Sequence, residues 1–454
     1  MNEIHNTDRL GTHRINRLLW EFSVPAIIGM VVNAIYNIVD RIYVGQMPNG
    51  DLGIAGITIV MPAMMVMMAL SMFIGIGSNS LFAIRMGEGH RDEVEKIMGN
   101  AFVLLFFVPA IGIAACFIFL DDIIIHVLGA SEAVFPYAKT YLQIILYGAI
   151  FSAMGPGINH FIRSDGHPRT SMVTQLVGAI INIILDPIFI FGFDWGIAGA
   201  AWATIISQFI SFVWVMWYFN SKLTALRFRP QFMKLERRIV FPILTIGFAP
   251  FVMQLAMSLV GVLQNHALNT YGGDTAVSAM GIVYSIMIIF FMPLQGINQG
   301  AQPIIGYNYG AKKYDRVIKT YTLAVIAGTV FITVGFLLIQ IFSHLFIALF
   351  RNEEGDLMDL SIFCLRVSTM VFPLIAFQIF TSQYFQAIGK PVQSTILSLS
   401  RQLLFYIPLL LLLPKTFGLN GVFFAMPAAD ILAVLLSAAF MTFELKRLHT
   451  QIKR

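Results

Sequence analysis

Charged residues are scarce in this sequence, and several motifs of soluble enzymes are absent from it. Only 12% of its 454 residues are charged, about half the share that is usual in soluble domains. It has no nucleotide-binding loop, no Ser/His/Asp set and no zinc-ligand spacing. Its two cysteines, Cys116 and Cys364, each lie in an apolar run and are predicted to pack as small buried side chains. The sequence therefore favours neither an enzyme nor an ATP-driven protein, and it implies no cofactor.

Apolar residues make up 57% of the chain, and they fall into long runs separated by charged or Gly/Pro-rich breaks. A helix that crosses a bilayer needs roughly 20 apolar residues, so the supply is enough for about a dozen crossings and little else. Residues 1–20 are polar and lack the short apolar segment of a signal peptide, so the first apolar run is expected to be retained. The predicted fold class is an all-α integral membrane protein. The predicted spans are 17–44, 54–84, 97–120, 137–161, 169–192, 197–219, 239–268, 276–306, 317–348, 359–387, 392–413 and 420–443.

The basic residues lie mostly on one side of the predicted spans. Most of the 29 Lys and Arg residues fall near the two termini or in the loops after spans 2, 4, 6, 8 and 10. The opposite loops are neutral or acidic, as at 121–122 and 353–356. Because Lys and Arg beside a span stay in the cytoplasm, both termini are predicted to be cytoplasmic, in a bacterial or archaeal inner (plasma) membrane. The basic residues are scattered over short loops, which argues against a nucleic-acid partner.

The two halves of the sequence match at an offset of 222 to 225 residues. Pro25 corresponds to Pro250, and the stretch 77–96 aligns with 300–319 at shared Gly, Asp, Val and Lys positions. Six spans per half place the two repeats parallel, related by an axis along the membrane normal, and such halves rock about a central site. The predicted domains are an N-terminal six-helix bundle at 1–219, a basic cytoplasmic linker at 220–238 and a C-terminal six-helix bundle at 239–454.

One face of predicted span 1 is polar although the rest of the helix is apolar. Asn33, Tyr36, Asn37 and Asp40 recur at i, i+3, i+4 and i+7, which places them on one helix face. We expect this face to adjoin a substrate cavity. The predicted cavity residues are Asn33, Tyr36, Asn37, Asn159 and Gln295.

Four polar residues of the first half fall at one depth in the membrane. At 1.5 Å per residue, Asp40, Asn182, Asp186 and Thr204 all lie roughly 6–15 Å below the outer surface. Ionisable groups within a membrane are costly and indicate function. Carboxylate, amide and hydroxyl oxygens suit Na⁺ or a shared proton. The alternative is structural: Asp40 pairs with the neighbouring arginine, and Asp186 caps a helix end.

The second half contains a different buried pair. Asp430 and Arg401 lie on adjacent antiparallel spans, about 10 and 12 residues from their shared outer end, so their side chains can meet. They are predicted to form a structural ion pair, with a role in transport as the alternative and Arg366 as a second partner. His160 and His167, near the cytoplasmic end of span 4, are predicted to anchor a loop rather than to bind a ligand.

Three motifs at these positions resemble the multidrug and toxic compound extrusion (MATE) family, over essentially the whole chain. They are 37–45 (NIVDRIYVG) on span 1, 182–187 (NIILDP) on span 5, and 295–303 (QGINQGAQP) running into 306–311 (GYNYGA) on span 8. The resemblance implies a V-shaped pair of six-helix bundles. It also implies a secondary antiporter that exports amphipathic organic cations in exchange for H⁺ or Na⁺.

The resemblance also implies roles for particular residues. In the DinF-like branch of the family, a cation site forms from Asp on span 1, Asn and Asp on span 5, and Thr on span 6. Those positions here are Asp40, Asn182, Asp186 and Thr204, and no other metal is implied. Another branch uses acidic residues on spans 7 and 10, which carry no carboxylate in their cores here, so an ion site in the second half is not expected.

Two other functions fit parts of the pattern. A flippase of lipid-linked saccharides, or another MATE-like exporter of lipids or metabolites, would share the fold but favour a strongly cationic cavity, and core cations are few here. A membrane prenyltransferase would need paired Asp-rich motifs beside a polar cavity, whereas 121–122 is an isolated acidic pair. The expected partners are small cationic drugs or metabolites and membrane lipids, and the chain is expected to be a monomer.

Overall fold

The computed structural model describes residues 5–350 and 355–452, and within them all regular structure is helical. Glu353 and Glu354, from a predicted acidic loop, lie outside the described residues, as do the basic residues Lys453 and Arg454. A short helix, His5–Thr12, precedes the first long one.

Nine of the described helices are long and apolar enough to cross a membrane, and a bent helix pair supplies a further crossing. The first six begin and end close to the predicted bounds of spans 1 to 6. They are Ile15–Gln46, Gly50–Gly87, Arg91–Ile118, Phe135–Ser164, Pro168–Gly192 and Gly196–Asn220. Span 9 is Tyr314–Ala348, and span 10 is the pair Asp356–Thr369 and Phe372–Ala387, bent by 49°.

Two of the long helices are each two crossings joined at a glycine. Arg237–Gly310 has 74 residues, which is about 110 Å of helix and far more than one crossing needs. Gly273 interrupts it with φ 62° and ψ −163°, which separates spans 7 and 8. Gly418 interrupts Pro391–Ile452 with φ 57° and ψ −137°, which separates spans 11 and 12. The chain therefore has twelve crossings in its described part, and the predicted all-α membrane fold is confirmed.

The two halves turn at matching residues. Gly89, Gly166 and Gly196 in the first half have positive φ, a region that glycine enters without steric cost. Their counterparts at an offset of 222 or 223 residues also have positive φ; they are Lys312, Gly389 and Gly418. The backbone thus repeats the pattern that the sequence shows, and the prediction of two related six-helix halves is confirmed.

The chain forms two compact units, and their boundaries do not follow the repeat. Unit 1 comprises the described part of Met1–His13 together with Ile28–Phe251, and unit 2 comprises the described parts of Arg14–Ile27 and Val252–Arg454. The beginning of span 1 therefore packs within unit 2, and the beginning of span 7 packs within unit 1. The division predicted from the sequence, with bundles ending at 219 and beginning at 239, follows the repeat and not these compact units. It stays a prediction.

In unit 1, the beginning of span 7 packs directly against the backbone of span 2. A Cβ atom on Gly77 would lie 2.1 Å from the carbonyl oxygen of Ile243, and a Cβ on Gly247 would lie 1.7 Å from that of Phe73. Only glycine permits such an approach. Close backbone contact at small residues is a main source of packing energy between helices in a membrane.

Unit 2 repeats this contact with the counterpart of Gly77. A Cβ atom on Gly300 would lie 2.7 Å from the backbone nitrogen of Ser23, and the Ser23 hydroxyl donates to the carbonyl oxygen of Ile297 at 3.5 Å. In each unit, therefore, the same glycine of the repeat holds a helix segment that comes from the other half of the sequence.

A buried apolar cluster joins the helices that carry the candidate site in unit 1. It includes Val44 of span 1, Val60 of span 2, Ala138 of span 4, Ile190 of span 5 and Ala200 of span 6, all with at most 1% exposure. This packing brings the polar end of span 1 next to spans 5 and 6.

Candidate functional site

The four predicted ion-site residues lie in unit 1, and all of them are buried. Asp40 is 8% exposed, Thr204 is 7% exposed, and Asn182 and Asp186 are almost fully enclosed. Asn182 Nδ2 donates to Asp186 Oδ1 at 3.2 Å, one helical turn away on span 5. The Thr204 hydroxyl donates to the carbonyl oxygen of Ala200 at 3.0 Å, so its lone pairs remain available as acceptors.

The residues of this cluster also interact across helices. Asp40 and Asp186 lie within electrostatic reach of each other. Tyr36 of span 1 and Tyr141 of span 4 both lie within electrostatic reach of the two carboxyl groups. The Tyr141 hydroxyl also lies within hydrogen-bonding reach of the Thr204 side chain. Spans 1, 4, 5 and 6 thus converge on one polar centre.

Three oxygens of this centre are buried and accept no hydrogen bond from the described residues. They are Asp40 Oδ1, Asn182 Oδ1 and Asp186 Oδ2. Most buried polar atoms in proteins have a partner, and one without a partner costs about 1–3 kcal/mol. All three atoms are acceptors, so a cation or a proton bound to a carboxylate would satisfy them. The oxygen set fits Na⁺ or H⁺, because hard cations prefer oxygen ligands.

The immediate neighbours of the two carboxylates bear on the structural alternative. Arg41 Nη2 donates to Met61 Sδ of span 2 at 2.9 Å, and the positive charge of Arg41 also acts on the Asp40 carboxyl. Asp186 is followed by Pro187, which has no N–H to donate, and then by the π-helical turn Ile188–Gly192. Such turns are frequent at functional sites.

The predicted cavity residues occupy three different places. Asn33 and Asn37 are exposed on the face of span 1 that carries Asp40, and Asn37 Nδ2 donates to the Asn33 carbonyl oxygen at 2.7 Å. Asn159 is buried and donates to the Ser171 carbonyl oxygen at 3.1 Å, about 22 Å along span 5 from the carboxylate of that span. Gln295 belongs to unit 2, and its part in a cavity remains a prediction.

The second half contains the other predicted pair. Arg401 Nε lies 2.6 Å from Asp430 Oδ1, and Asp430 is 3% exposed. Arg401 is the second residue of the π-helical segment Ser400–Tyr406. Arg366 is not directed to this pair, since its Nε donates to Ser343 Oγ of span 9 at 2.9 Å.

Tyr141 is the member of the polar centre that sequence reasoning missed. It stands near the beginning of span 4, and a single tyrosine in an apolar span looks like packing. On the predicted span 137–161, Tyr141 lies at about the same depth in the membrane as Thr204. That shared depth is the sequence signal that could have placed it near the site. The contact itself depends on how spans 4 and 6 face each other, which no local pattern gives.

The twelve-helix fold and its buried ionisable site define a class: membrane transporters built from repeated halves. The family model MatE matches residues 25–188 and 250–412, once in each half. Since these matches cover most of the chain, the chain belongs to the multidrug and toxic compound extrusion (MATE) family. It is a transporter and not an enzyme, and the resemblance stated from its motifs is confirmed.

Curated relatives and solved structures agree with this family. The chain is 28% identical over 433 residues to the "Multidrug export protein MepA" of Staphylococcus haemolyticus, with 95% of this chain and 94% of the relative covered. It is 26% identical to the protein of the same name from Staphylococcus saprophyticus, with 92% and 91% covered. A ligand complex of the MATE multidrug transporter DinF-BH is 36% identical, covers 96% of this chain and 98% of its own, and superposes with a TM-score of 0.88.

A second solved structure shows the fold at lower identity. An outward-facing multidrug resistance MATE family transporter of the MOP superfamily superposes with a TM-score of 0.89 at 23% identity, with 99% of each chain covered. The higher identity to DinF-BH agrees with the DinF-like branch that the motifs of spans 1 and 5 indicate.

Proposed function

We propose that this chain is a secondary multidrug exporter that moves amphipathic organic cations out of the cell in exchange for H⁺ or Na⁺. The observation that carries the proposal is a buried cluster within membrane helices of unit 1. In it, three acceptor oxygens, on Asp40, Asn182 and Asp186, have no hydrogen-bond partner among the residues that the structure describes. The names of the MepA relatives support a multidrug cargo. The ligand complex of DinF-BH supports a small molecule as the transported species.

The two carboxylates give the coupling its physical basis. Two like charges in a weakly polar setting cannot both ionise cheaply, so binding a proton or Na⁺ between them relieves repulsion. That relief is greatest when spans 1 and 5 hold Asp40 and Asp186 close together. A ligand shifts a conformational equilibrium only by its different affinity for the two states. Ion binding therefore favours one state of the transporter, and drug binding favours the other.

The other residues of the centre then have distinct roles. Asn182 fixes one oxygen of Asp186 through its hydrogen bond of 3.2 Å and offers its own Oδ1 to the ion. Thr204, held by Tyr141, supplies a hydroxyl oxygen from span 6. Tyr36 shapes the drug path beside Asp40.

The orientation that we propose places both termini in the cytoplasm of a bacterial or archaeal cell, with the protein in the plasma membrane. The asymmetry of Lys and Arg supports it, because basic residues concentrate at the termini and in the loops after even-numbered spans. In this orientation Asp40 and Asp186 lie toward the outer ends of spans 1 and 5.

The function is tested by transport into or out of liposomes that contain the purified protein. Ethidium movement would be followed by fluorescence while a Na⁺ gradient and an H⁺ gradient are imposed separately. We expect one of the two gradients to accelerate ethidium transport several-fold over protein-free vesicles. If neither gradient moves ethidium although the protein is folded and inserted, the multidrug function is wrong.

Asp194→Asn provides the matched control for carboxylate substitutions in this assay. Asp194 is an exposed residue at φ 56° between spans 5 and 6, and asparagine tolerates that conformation well. Its transport should equal that of the unmodified chain under either gradient.

A further inference from the structure

A second buried titratable cluster lies at the other end of span 5 from Asp186. Asp165 and His167 belong to the turn between spans 4 and 5, and Tyr218 stands near the end of span 6. The Tyr218 hydroxyl donates to Asp165 Oδ2 at 2.6 Å and lies 2.7 Å from His167 Nδ1. The Asp165 side chain is buried, with 6% of the residue exposed. None of these groups belongs to the polar centre proposed for ion coupling.

The segment 221–229, which follows span 6, is docked on this cluster. Its Thr224 side chain lies within hydrogen-bonding reach of the Asp165 carboxyl, and the Thr224 hydroxyl accepts a hydrogen bond from the Leu226 N–H at 3.1 Å. Both of these segment residues are buried. Farther along, the Arg227 N–H donates to Glu95 Oε1 at 3.2 Å. The chain that leads from the first half to the second is therefore held in unit 1 by two carboxylates.

A cavity of about 200 Å³ lies between this segment and the start of span 3. Asp165, His167, Glu95 and Thr224 all line it. A water molecule occupies about 30 Å³ of liquid, so a cavity of this size admits several waters. Protons can therefore reach the Asp165 carboxyl from the basic face of the protein, without passing through the centre at Asp40.

We propose that Asp165 is a proton-binding site on the face proposed as cytoplasmic, and that its protonation holds the segment 221–229 docked on unit 1. The ligand is the proton itself, and the responding element is the connection between the two halves. The inference stands on the geometry of unit 1 and does not require the transport function to be correct.

The direction of the effect follows from burial. Burial raises the pKa of Asp165 to about 6, and hydrogen bonds from Thr224 and Tyr218 with the positive charge of Arg91 offset only part of that increase. If the segment lifts away, water reaches the carboxyl and its pKa returns toward about 3.9. The docked form thus has the higher pKa. Proton binding therefore stabilises docking as the pH falls through 6, and the segment loosens as the pH rises through 6.

The hydrogen bonds can adapt to either charge state. When Asp165 is ionised, Tyr218 donates its single proton to the carboxylate, and the Nδ1–H tautomer of His167 donates to the phenol oxygen. When Asp165 is protonated, the carboxylic acid donates to the phenol, which then donates to His167 Nδ1. Burial lowers the pKa of His167, which favours the neutral imidazole that both arrangements require.

Charged or titratable groups from the neighbouring elements face this turn, and the test must separate them from Asp165. They are Arg91, Asp92 and Glu95 of span 3, His167 before span 5, Tyr218 of span 6, Arg229 of the segment and Arg9 of the N-terminal helix. Substitution of Asp165 alone shows how much of the pH dependence of docking comes from this carboxyl group.

Hydrogen exchange of the full-length protein, measured by mass spectrometry on peptides that cover 221–229, tests the proposal. After correction for intrinsic exchange rates, we expect opening to be about tenfold less frequent at pH 5.0 than at pH 7.5. Asp165→Asn, which is neutral at both pH values, should remain protected at pH 7.5 and lose the pH dependence. Asp194→Asn should keep the full pH dependence of the unmodified chain.

Two results would overturn the inference. One is protection of 221–229 that does not change between pH 5.0 and pH 7.5 in the unmodified protein, a measurement that needs no variant to fold. The other is an Asp165→Asn protein that retains the same pH dependence. Neither measurement involves a transported compound, so a failure here is distinct from a failure of the proposed export function.

Discussion

At the scale of single residues, the candidate site has more buried acceptor oxygens than hydrogen-bond donors that reach them. The Tyr141 hydroxyl is a donor within hydrogen-bonding reach of Thr204. Tyr141→Phe removes that donor, and a hydrogen bond is worth about 0.5–1.5 kcal/mol. We expect the half-saturating concentration of the coupling ion to rise about two- to tenfold, with a smaller change in the transport rate at saturation. Ion titration of ethidium transport measures both quantities.

Tyr147→Phe is the control for this substitution. Tyr147 is on the same span but is 55% exposed and only accepts a bond of 3.3 Å from Gln143. Its ion dependence should match that of the unmodified chain. Equal curves for Tyr141→Phe and the control would show that Thr204 does not depend on Tyr141 and would weaken its place in the site.

The pair Arg401 and Asp430 gives a prediction about stability. The two groups meet at 2.6 Å in a buried setting, where removing one partner leaves an uncompensated charge and costs about 3–5 kcal/mol. Arg401→Met or Asp430→Leu alone should therefore lower the free energy of unfolding more than the double substitution does. The free energies of unfolding of the purified single and double variants in detergent form a double-mutant cycle. Additive effects in this cycle would show that the two groups act independently.

An exposed ion pair in the same unit is the control. Arg17 and Glu21 are 2.8 Å apart on one face of span 1, with the arginine 71% exposed. Exposed pairs of this kind contribute little, so the same cycle there should give nearly additive, small effects.

Sequence reasoning reached some of these residues and not others for physical reasons. The MATE-like motifs imply the set Asp40, Asn182, Asp186 and Thr204, and the common depth of these residues supports it, since position along a helix of known rise is readable from the sequence. Asp165 was not selected, because a carboxylate in a loop looks solvated until the fold covers it. What distinguishes Asp165 from a solvated loop carboxylate is its burial by the tertiary fold, which cannot be read from the sequence.

At the scale of helices, glycine positions decide which elements can touch. Gly77→Ala would place a Cβ atom 2.1 Å from a backbone oxygen of span 7, so one helix must move. Overpacking of this kind typically costs about 1–3 kcal/mol, and we expect a lower Tm and weaker transport. Thermal unfolding of the purified variant measures the first effect.

Gly261→Ala is the matched control, because within the described part of the chain no atom lies within 4 Å of a Cβ built on Gly261 in span 7. Alanine is favoured over glycine in a helix by about 1 kcal/mol, so its Tm should be equal or higher. If both variants have the same Tm as the unmodified chain, the contact at Gly77 does not hold span 7 in unit 1.

Helix number and position were predictable because each crossing needs a long apolar run. The predicted boundaries at 268–276 and 413–420 bracket Gly273 and Gly418, where single left-handed residues separate two crossings. The π-helical turns after Asp186 and around Arg401 were not predicted. An extra residue in a helical turn does not interrupt a long apolar run, so the runs from which the spans are predicted do not reveal it.

At the scale of the whole molecule, the compact units and the sequence repeat divide the chain differently. The repeat is visible because it reproduces turn residues, whereas the placement of 14–27 in unit 2 depends on helix contacts far apart in sequence. The chain passes from one unit to the other at Ile28 in span 1 and at Val252 in span 7. Both positions come shortly after the matching prolines Pro25 and Pro250. The family match begins at the same two prolines.

The central claim is that Asp40 and Asp186 act as one site that couples ion entry to drug exit. The most direct test is gradient-driven ethidium transport in liposomes by Asp40→Asn, Asp186→Asn and the double variant, at equal amounts of folded protein, with Asp194→Asn as control. We expect each single substitution to abolish the acceleration by the gradient and the double substitution to add nothing further. Full gradient-driven transport by either well-folded single variant would contradict it.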